Sequence, residues 1–218
     1  MTTRAALEAN LSNEGGIGNV RLLKNCMGTW LVQELRRVWQ DADHREYPWE
    51  MLNEWTRHAP AFTALVDPDD PRFYNPPNME TAIARYCRET GQPVPEERGT
   101  FLRLVYESLA LKYRLVNEQI ARVTGKPHRV VHIVGGGSRN TMLNQFVADA
   151  VGLPVVAGPE EATAVGNVMV QALGLGVIRS LTAALPLIRA TFSIREYAPR
   201  DTARWEEAYQ RFRKLTRA

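Results

Sequence analysis

The 218-residue sequence is poor in the features that mark whole classes of protein. It has two cysteines, Cys26 and Cys87, far apart and with no partner at metal-ligand spacing, which excludes a disulfide framework and a cysteine-rich zinc module. No apolar run approaches the roughly 20 residues that cross a bilayer. With no leader pattern either, a reducing cytoplasm is the expected compartment. Neither sign of charge dominates: 27 Lys and Arg against 24 Asp and Glu leave +3. Much of that basic excess falls in the last helical segment, which argues against a nucleic-acid surface.

The standard nucleotide loops are missing too. The only Gly-Lys pair is Gly125-Lys126, followed by Pro127, so the Gly-Lys-Ser/Thr phosphate cradle is absent. A Gly-x-Gly-x-x-Gly fingerprint fails at Asn140, and no acidic residue follows at strand-end spacing. Asp-x-Gly occurs nowhere, and His44, His58, His128 and His132 form no catalytic spacing. What is present is 44% hydrophobic and 23% charged, ordinary for a globular chain able to bury a sizeable core.

Residues 22–39 carry apolar positions at Met27, Trp30, Leu31, Leu35 and Val38, a helical period. A second helix is expected over 50–65. The four prolines of 67–79 exclude regular structure there, and Asp67, Asp69 and Asp70 read as turn formers and solubilising charge. Residues 79–90 form a short helix closed by Gly91, and 96–124 a long one closed by Gly125. The grammar then changes. A β-branched run at 129–134, a helix over 140–151, a strand at 154–157 and a helix over 160–174 describe a parallel α/β unit with a right-handed crossover. Residues 180–190 read as helical despite Pro186, 191–197 are ambiguous, and 202–217 form a terminal amphipathic helix. The first twenty residues start without a hydrophobic nucleus, as if from the middle of a longer polypeptide.

Gly135, Gly136 and Gly137 interrupt the chain at the carboxyl end of the first strand of that unit. Ligands of open parallel sheets sit there, and glycine lets backbone N–H groups approach them. On these residues alone a ligand loop and a plain tight turn are equally supported. Ala162, Ala164 and Gly166 leave the helix at 160–174 with little bulk. Close packing on a strand would explain that, and so would a flat ligand such as adenine.

The stretch HIVGGGSRN, with LNQFVADAVGLPVVAGPEEATAVGN after it, resembles the adenosine-binding signature of the FGGY family of carbohydrate kinases, in the actin-like ATPase superfamily. SNEGGIGNVRLLKNCMGTWLVQELRR, DPDDPRFYNPPNM and CRETGQPVPE resemble its rhamnulokinase branch, and the likeness corresponds to the C-terminal half of such an enzyme. It implies an α/β, ribonuclease-H-like domain with helical insertions. The implied division is an extended segment at 1–20 left from a missing half, a nucleotide-side domain at 21–198 and a C-terminal helix at 199–218.

By motif match the resemblance assigns Gly136, with Gly135, Gly137 and Asn140, to ATP, Gln33 to ATP and Asn25 to the sugar. A carboxamide offers both donor and acceptor to hydroxyls. Eight residues apart on one helix, Asn25 and Gln33 would face one cleft. Without the family match, an ordinary helix start and a solvated face explain these two. Capping or packing explains Ser138, Asn140, Asn144, Gln145, Thr163 and Asn167 equally well. ATP and Mg2+ are the implied cofactors, a ketose such as L-rhamnulose the implied substrate, and an N-terminal kinase domain the implied partner, with no nucleic acid and no membrane. The family's catalytic aspartate and both phosphate loops belong to that other half, so no catalytic residue and no metal ligand are assigned here, and the chain alone is expected to be inactive. The GTW at Gly28 to Trp30 lies inside the first expected helix and resembles the family's MGLW-like element, not one of those loops. The chain would be a shortened polypeptide, a partial gene product or a split subunit. The alternatives are a non-catalytic nucleotide- or partner-binding fragment and an FGGY kinase for another sugar, such as fuculose or xylulose.

Overall fold

Around Gly16 and Gly18 the chain turns back on itself, and that turn moves the first long helix. The structure, a computed structural model, describes residues 1–216; the expected helical position at Arg217 and the end of the 199–218 segment lie outside the described residues. Within the stretch expected to be extended, Thr3 caps a short helix α1 (Arg4–Glu8). Strands β1 (Ser12–Gly15) and β2 (Val20–Leu23) then pair antiparallel, Ser12 opposite Leu23 and Gly15 opposite Val20.

Residues 22–29 are therefore not helical. Leu22 and Leu23 belong to the hairpin, and the Met27 N–H is taken by the Asp69 carboxylate at 2.6 Å instead of a helical carbonyl. Helix α2 starts only at Trp30 (Trp30–Asp43). Helix α3 (Trp49–His58) stops before the expected 65, with Ala59 extended ahead of Pro60, the conformation a following proline imposes. Helix α4 (Met79–Glu89) is capped by the Asn78 side chain, and α5 runs over Arg98–Thr124. Gly91 and Gly125, at φ +67° and +68°, end them in the left-handed conformation where a Cβ is costly.

Past α5 come β3 (Val131–Ile133), α6 (Thr141–Val151), β4 (Val155–Ala157), α7 (Ala162–Gly174), α8 (Leu181–Thr191) and β5 (Arg195–Tyr197). β3 and β4 are parallel, Val131 opposite Val155, and β5 joins β4 antiparallel, so the sheet order is β3-β4-β5. The expected parallel unit is present, and the ambiguous 191–197 stretch supplies its antiparallel edge. Helix α9 (Thr202–Leu215) closes the described chain.

Two compact units result: Met1–Pro127 together with the segment from Thr202 onward, and His128–Asp201. In the first, Leu31, Leu35 and Trp39 of α2, Leu52 of α3, Ile83 of α4 and the inward face of α5 are buried with Trp205, Tyr209 and Phe212 of α9. A Cβ at position 99 would lie 2.5 Å from the Trp55 carbonyl oxygen, so only glycine lets α5 touch α3 this closely. In the second, Val147, Ala148, Val155 and Ala157 are buried, whereas α7 buries only Val165 and α8 only Ala184.

Candidate functional site

Gly135 to Gly137 lie where β3 ends, as the first residues of a single 3-10 turn (Gly135–Arg139). The turn is fixed by its own unit. Gly135 N–H donates to the Pro159 carbonyl at 3.0 Å and Gly158 N–H to the Ile133 carbonyl at 2.8 Å, which ties the turn to the approach of α7. Ser138 Oγ closes the loop on the Gly135 carbonyl at 2.7 Å, and Arg139 pairs with Glu160 at 2.6 Å.

The three glycines are required for different reasons. Gly135 sits at φ +75°, where the backbone itself demands glycine. Gly136 and Gly137 have no positive φ; a Cβ at 136 would meet nothing within 4 Å, and one at 137 only Ile133 at 3.7 Å. Their own unit does not need glycine at either place. Gly166, on the exposed part of α7, likewise has nothing within 4 Å, and Thr163, Ala164 and Asn167 beside it are exposed. The small residues there are not packed under a strand. Bare backbone in open space is the condition under which a planar or phosphate-bearing ligand comes within hydrogen-bonding range.

The polar residues around the loop have work within the fold. Asn140 Oδ1 accepts the Leu143 N–H at 2.9 Å as the cap of α6. Asn144 is fully buried and donates through Nδ2 to the Ser138 carbonyl at 2.9 Å, holding the turn from below. Gln145 bonds Asp149 and the Ala198 carbonyl, each at 2.8 Å. Asn167 accepts from Gln171 at 2.8 Å.

Asn25 and Gln33 belong to the other unit, and they do not share a helix as the 22–39 reading required. Asn25 is exposed in the loop before α2, and its carboxamide makes no hydrogen bond to the described residues. Gln33 is exposed on α2 and lines an open cavity of about 380 Å³ with Arg36, Arg37, Gln40, Asp41 and Trp49. There Arg36 donates to the Tyr47 carbonyl at 2.6 Å and its guanidinium lies 4.8 Å from the Trp49 ring centre. Arg37 is paired with Glu34 at 2.8 Å and Asp41 at 2.9 Å.

Sequence reasoning missed the ionic node beside Asn25. Asp67 and Asp69 are not solubilising charge. The nearly buried Lys112 ammonium of α5 bonds Asp67 at 2.8 Å and Asp69 at 2.9 Å. Burial opposes charge on Lys112, but the two carboxylates outweigh it and hold its pKa above the ordinary lysine value. Burial, and then the Lys112 charge, lower Lys24. Burial and the Asp69 charge push the Cys26 thiol up to about 11, so the thiol is protonated and unreactive at neutral pH. Burial, with Cys26 and Asp69, raises Tyr113 to about 12. The available signal was Lys112 itself: a lysine four residues after Ser108 on the buried face of α5 demands a partner. Among the described residues no three His, Cys, Asp or Glu side chains gather as a metal site, and no helix is long and apolar enough to cross a membrane.

Comparison with known proteins identifies the family. Residues 6–175 match the model of the FGGY family of carbohydrate kinases, C-terminal domain. A rhamnulokinase of Bacteroides thetaiotaomicron is 47% identical over 209 residues, covering 95% of this chain and 42% of its own. A rhamnulokinase of Pectobacterium carotovorum is 43% identical over 212 residues, covering 97% and 42%. Among solved structures, gluconate kinase from Lactobacillus acidophilus superposes with a TM-score of 0.65 at 16% identity, over 95% of this chain and 42% of that one. The chain thus spans less than half the length of the relatives it matches, and its architecture is that of the actin-like ATPase fold.

Proposed function

Because the chain belongs to the FGGY family of carbohydrate kinases and carries its C-terminal domain, we propose that it is the adenosine-binding part of a cytoplasmic sugar kinase that transfers the γ-phosphoryl group of ATP to a hydroxyl of L-rhamnulose. The observation that carries the reading is the turn at Gly135 to Gly137. Its second glycine faces open space, a side chain at the third would meet only Ile133 in ordinary contact, and neither has a positive φ, so neither serves a packing or conformational need of its own unit.

In this reading the backbone at Gly136 and Gly137 accepts the nucleotide closely, Gly135 sets the bend, and the small exposed face of α7 around Gly166 leaves room for the purine. Asn140 stays the cap of α6 and orients the turn it follows. By motif Gln33 is read as a nucleotide contact, and Asn25 meets a sugar hydroxyl as donor and acceptor. The nucleotide, with Mg2+ as its counter-ion, supplies the transferred group and the charge neutralisation such transfers need. In this reading, as the family resemblance implies, an N-terminal kinase domain supplies the proton acceptor for the sugar hydroxyl and the two phosphate loops. Identity of 47% to a rhamnulokinase supports L-rhamnulose over other ketoses.

Isothermal titration of the chain with ADP, beside a coupled assay with ATP and L-rhamnulose, tests this. Saturable ADP binding that Gly136→Leu abolishes at unchanged melting temperature is expected, with no turnover. Absence of ADP binding in the parent chain removes the nucleotide reading, and turnover by the chain alone removes the assignment of catalysis to another domain. One feature favours a partner-binding reading: Val168, Leu175 and Val177 are 57%, 80% and 74% exposed at and just beyond α7, an apolar surface of the kind that receives another protein.

A further inference from the structure

The loop that carries Asn25 is pinned on both sides by groups with no other evident task. On its N-terminal side the Lys24 ammonium donates to the Ala9 carbonyl at 2.8 Å and to Gln119 of α5 at 2.9 Å. On its C-terminal side the Met27 N–H donates to Asp69 Oδ1 at 2.6 Å. The other oxygen of Asp69 is held by Lys112 at 2.9 Å, and Lys112 is held in turn by Asp67 at 2.8 Å. The Asp69 N–H also donates to Asp67 Oδ1 at 3.1 Å, and the Val66 N–H to the buried Ser108 hydroxyl of α5 at 3.0 Å. Between the two anchors Asn25 is exposed and its carboxamide is unengaged.

A hairpin end that needed only stability would be served by apolar contacts. A buried ion pair is weak support for stability and a good means of fixing register. The side-chain exposure of Lys112 is 7%, against 18% and 26% for Asp67 and Asp69, so the charge is sunk in the helix and its partners reach toward the surface. The geometry points to Lys112 and Asp69 as positioning residues for Asn25: the ammonium fixes the Asp69 carboxylate, and the carboxylate fixes the Met27 amide two residues from the exposed carboxamide. The inference rests on the reading of Asn25 as the sugar contact. It also gives the proline-rich 67–71 segment a function, since that segment carries both carboxylates to the loop.

The test uses the 15N-labelled full chain and follows amide exchange at Met27, backbone order at residue 25, melting temperature, and L-rhamnulose affinity by isothermal titration. Asp69→Leu removes the acceptor, Asp69→Asn keeps one, and Lys112→Met removes the ammonium at similar volume. Asn25→Ala removes the proposed contact and leaves the brace. Met27 exchange is expected to rise about tenfold in Asp69→Leu, the size associated with losing a hydrogen bond to a charged group. Asn25 order should fall in Asp69→Leu and Lys112→Met, with recovery in Asp69→Asn. Asn25→Ala should keep Met27 protected while losing the sugar response.

Sugar affinity falling in Asp69→Leu and returning in Asp69→Asn, at matched melting temperatures, separates positioning from general destabilisation and supports the proposal. Asn25 equally ordered in all variants overturns it, whatever the sugar does. Loosening of Asn25 in the variants with no sugar response in the parent chain upholds the brace and removes the sugar assignment of Asn25 alone.

Discussion

The two units of this chain solve the same problem of burial to different degrees. In the unit built from α1 to α5 and α9, every long helix hides a full face: Leu31, Leu35 and Trp39 on α2, Leu102, Val105, Leu109 and Leu111 on α5, Trp205, Tyr209 and Phe212 on α9. Its polar chemistry is tied down as well, through Lys112 with Asp67 and Asp69 and through Arg103 with Glu107. In the unit at His128–Asp201, a three-stranded sheet is covered by α6, while α7 and α8 bury one residue each. The first unit is a finished core that presents Asn25 and Gln33. The second keeps bare backbone and apolar side chains in the open, as a surface built to receive something else would.

The contrast is broken most readily from inside the first unit. Leu102→Ala, at a fully buried position of α5, should cost about 3–5 kcal/mol in urea denaturation. Val168→Ala on α7 should stay within about 0.5 kcal/mol; equal costs would erase the distinction between the units. Lys112→Ala leaves two half-buried carboxylates without their cation and should cost about 3 kcal/mol. A cost below about 1 kcal/mol would make the node an ordinary surface pair. Asn140→Ala removes the α6 cap and should cost about 1 kcal/mol; because capping accounts for its carboxamide, ADP affinity should change less than in Gly136→Leu.

Alkaline pH sharpens the picture with a smaller effect. The thiols of Cys26 and Cys87 are both raised by burial from 9.0 to about 11. A group whose folded pKa lies above its unfolded one stabilises fully below the unfolded value and loses that stabilisation as pH rises through the folded value. Melting temperature should therefore fall between pH 9 and pH 11. The Cys26→Ser, Cys87→Ser double variant should show a shallower fall, and Lys112, also raised, adds to the decline that remains.

What the sequence made legible was what local periodicity and caps determine. The helices at 79–90 and 96–124 with their glycine ends, the β3–α6–β4–α7 order and the glycine bend at a strand terminus all follow from spacing and from residues with special backbone preferences. What stayed hidden was set by contacts distant in sequence. Leu22 and Leu23 fit a helical period, but pairing across Gly16 to Gly18 draws them into a hairpin, and Asp69 takes the Met27 amide that would have continued a helix. Asp67 and Asp69 look solvated until α5 places Lys112 against them. Trp30, an apolar position of the expected helical face, is 37% exposed. The proposed contacts at Gly136 and Gln33 rest on motif alone, whereas the brace under Asn25 depends on residues from three separate stretches.

The measurement that bears most directly on the nucleotide loop is residue-resolved hydrogen exchange of the chain with and without saturating ADP. Protection is expected to gather at residues 135–140 and on the open face of α7 from 162 to 167, with the interior of α5 unchanged. If ADP leaves those two stretches as they were, or protects only residues elsewhere, the glycine bend is a turn and nothing more.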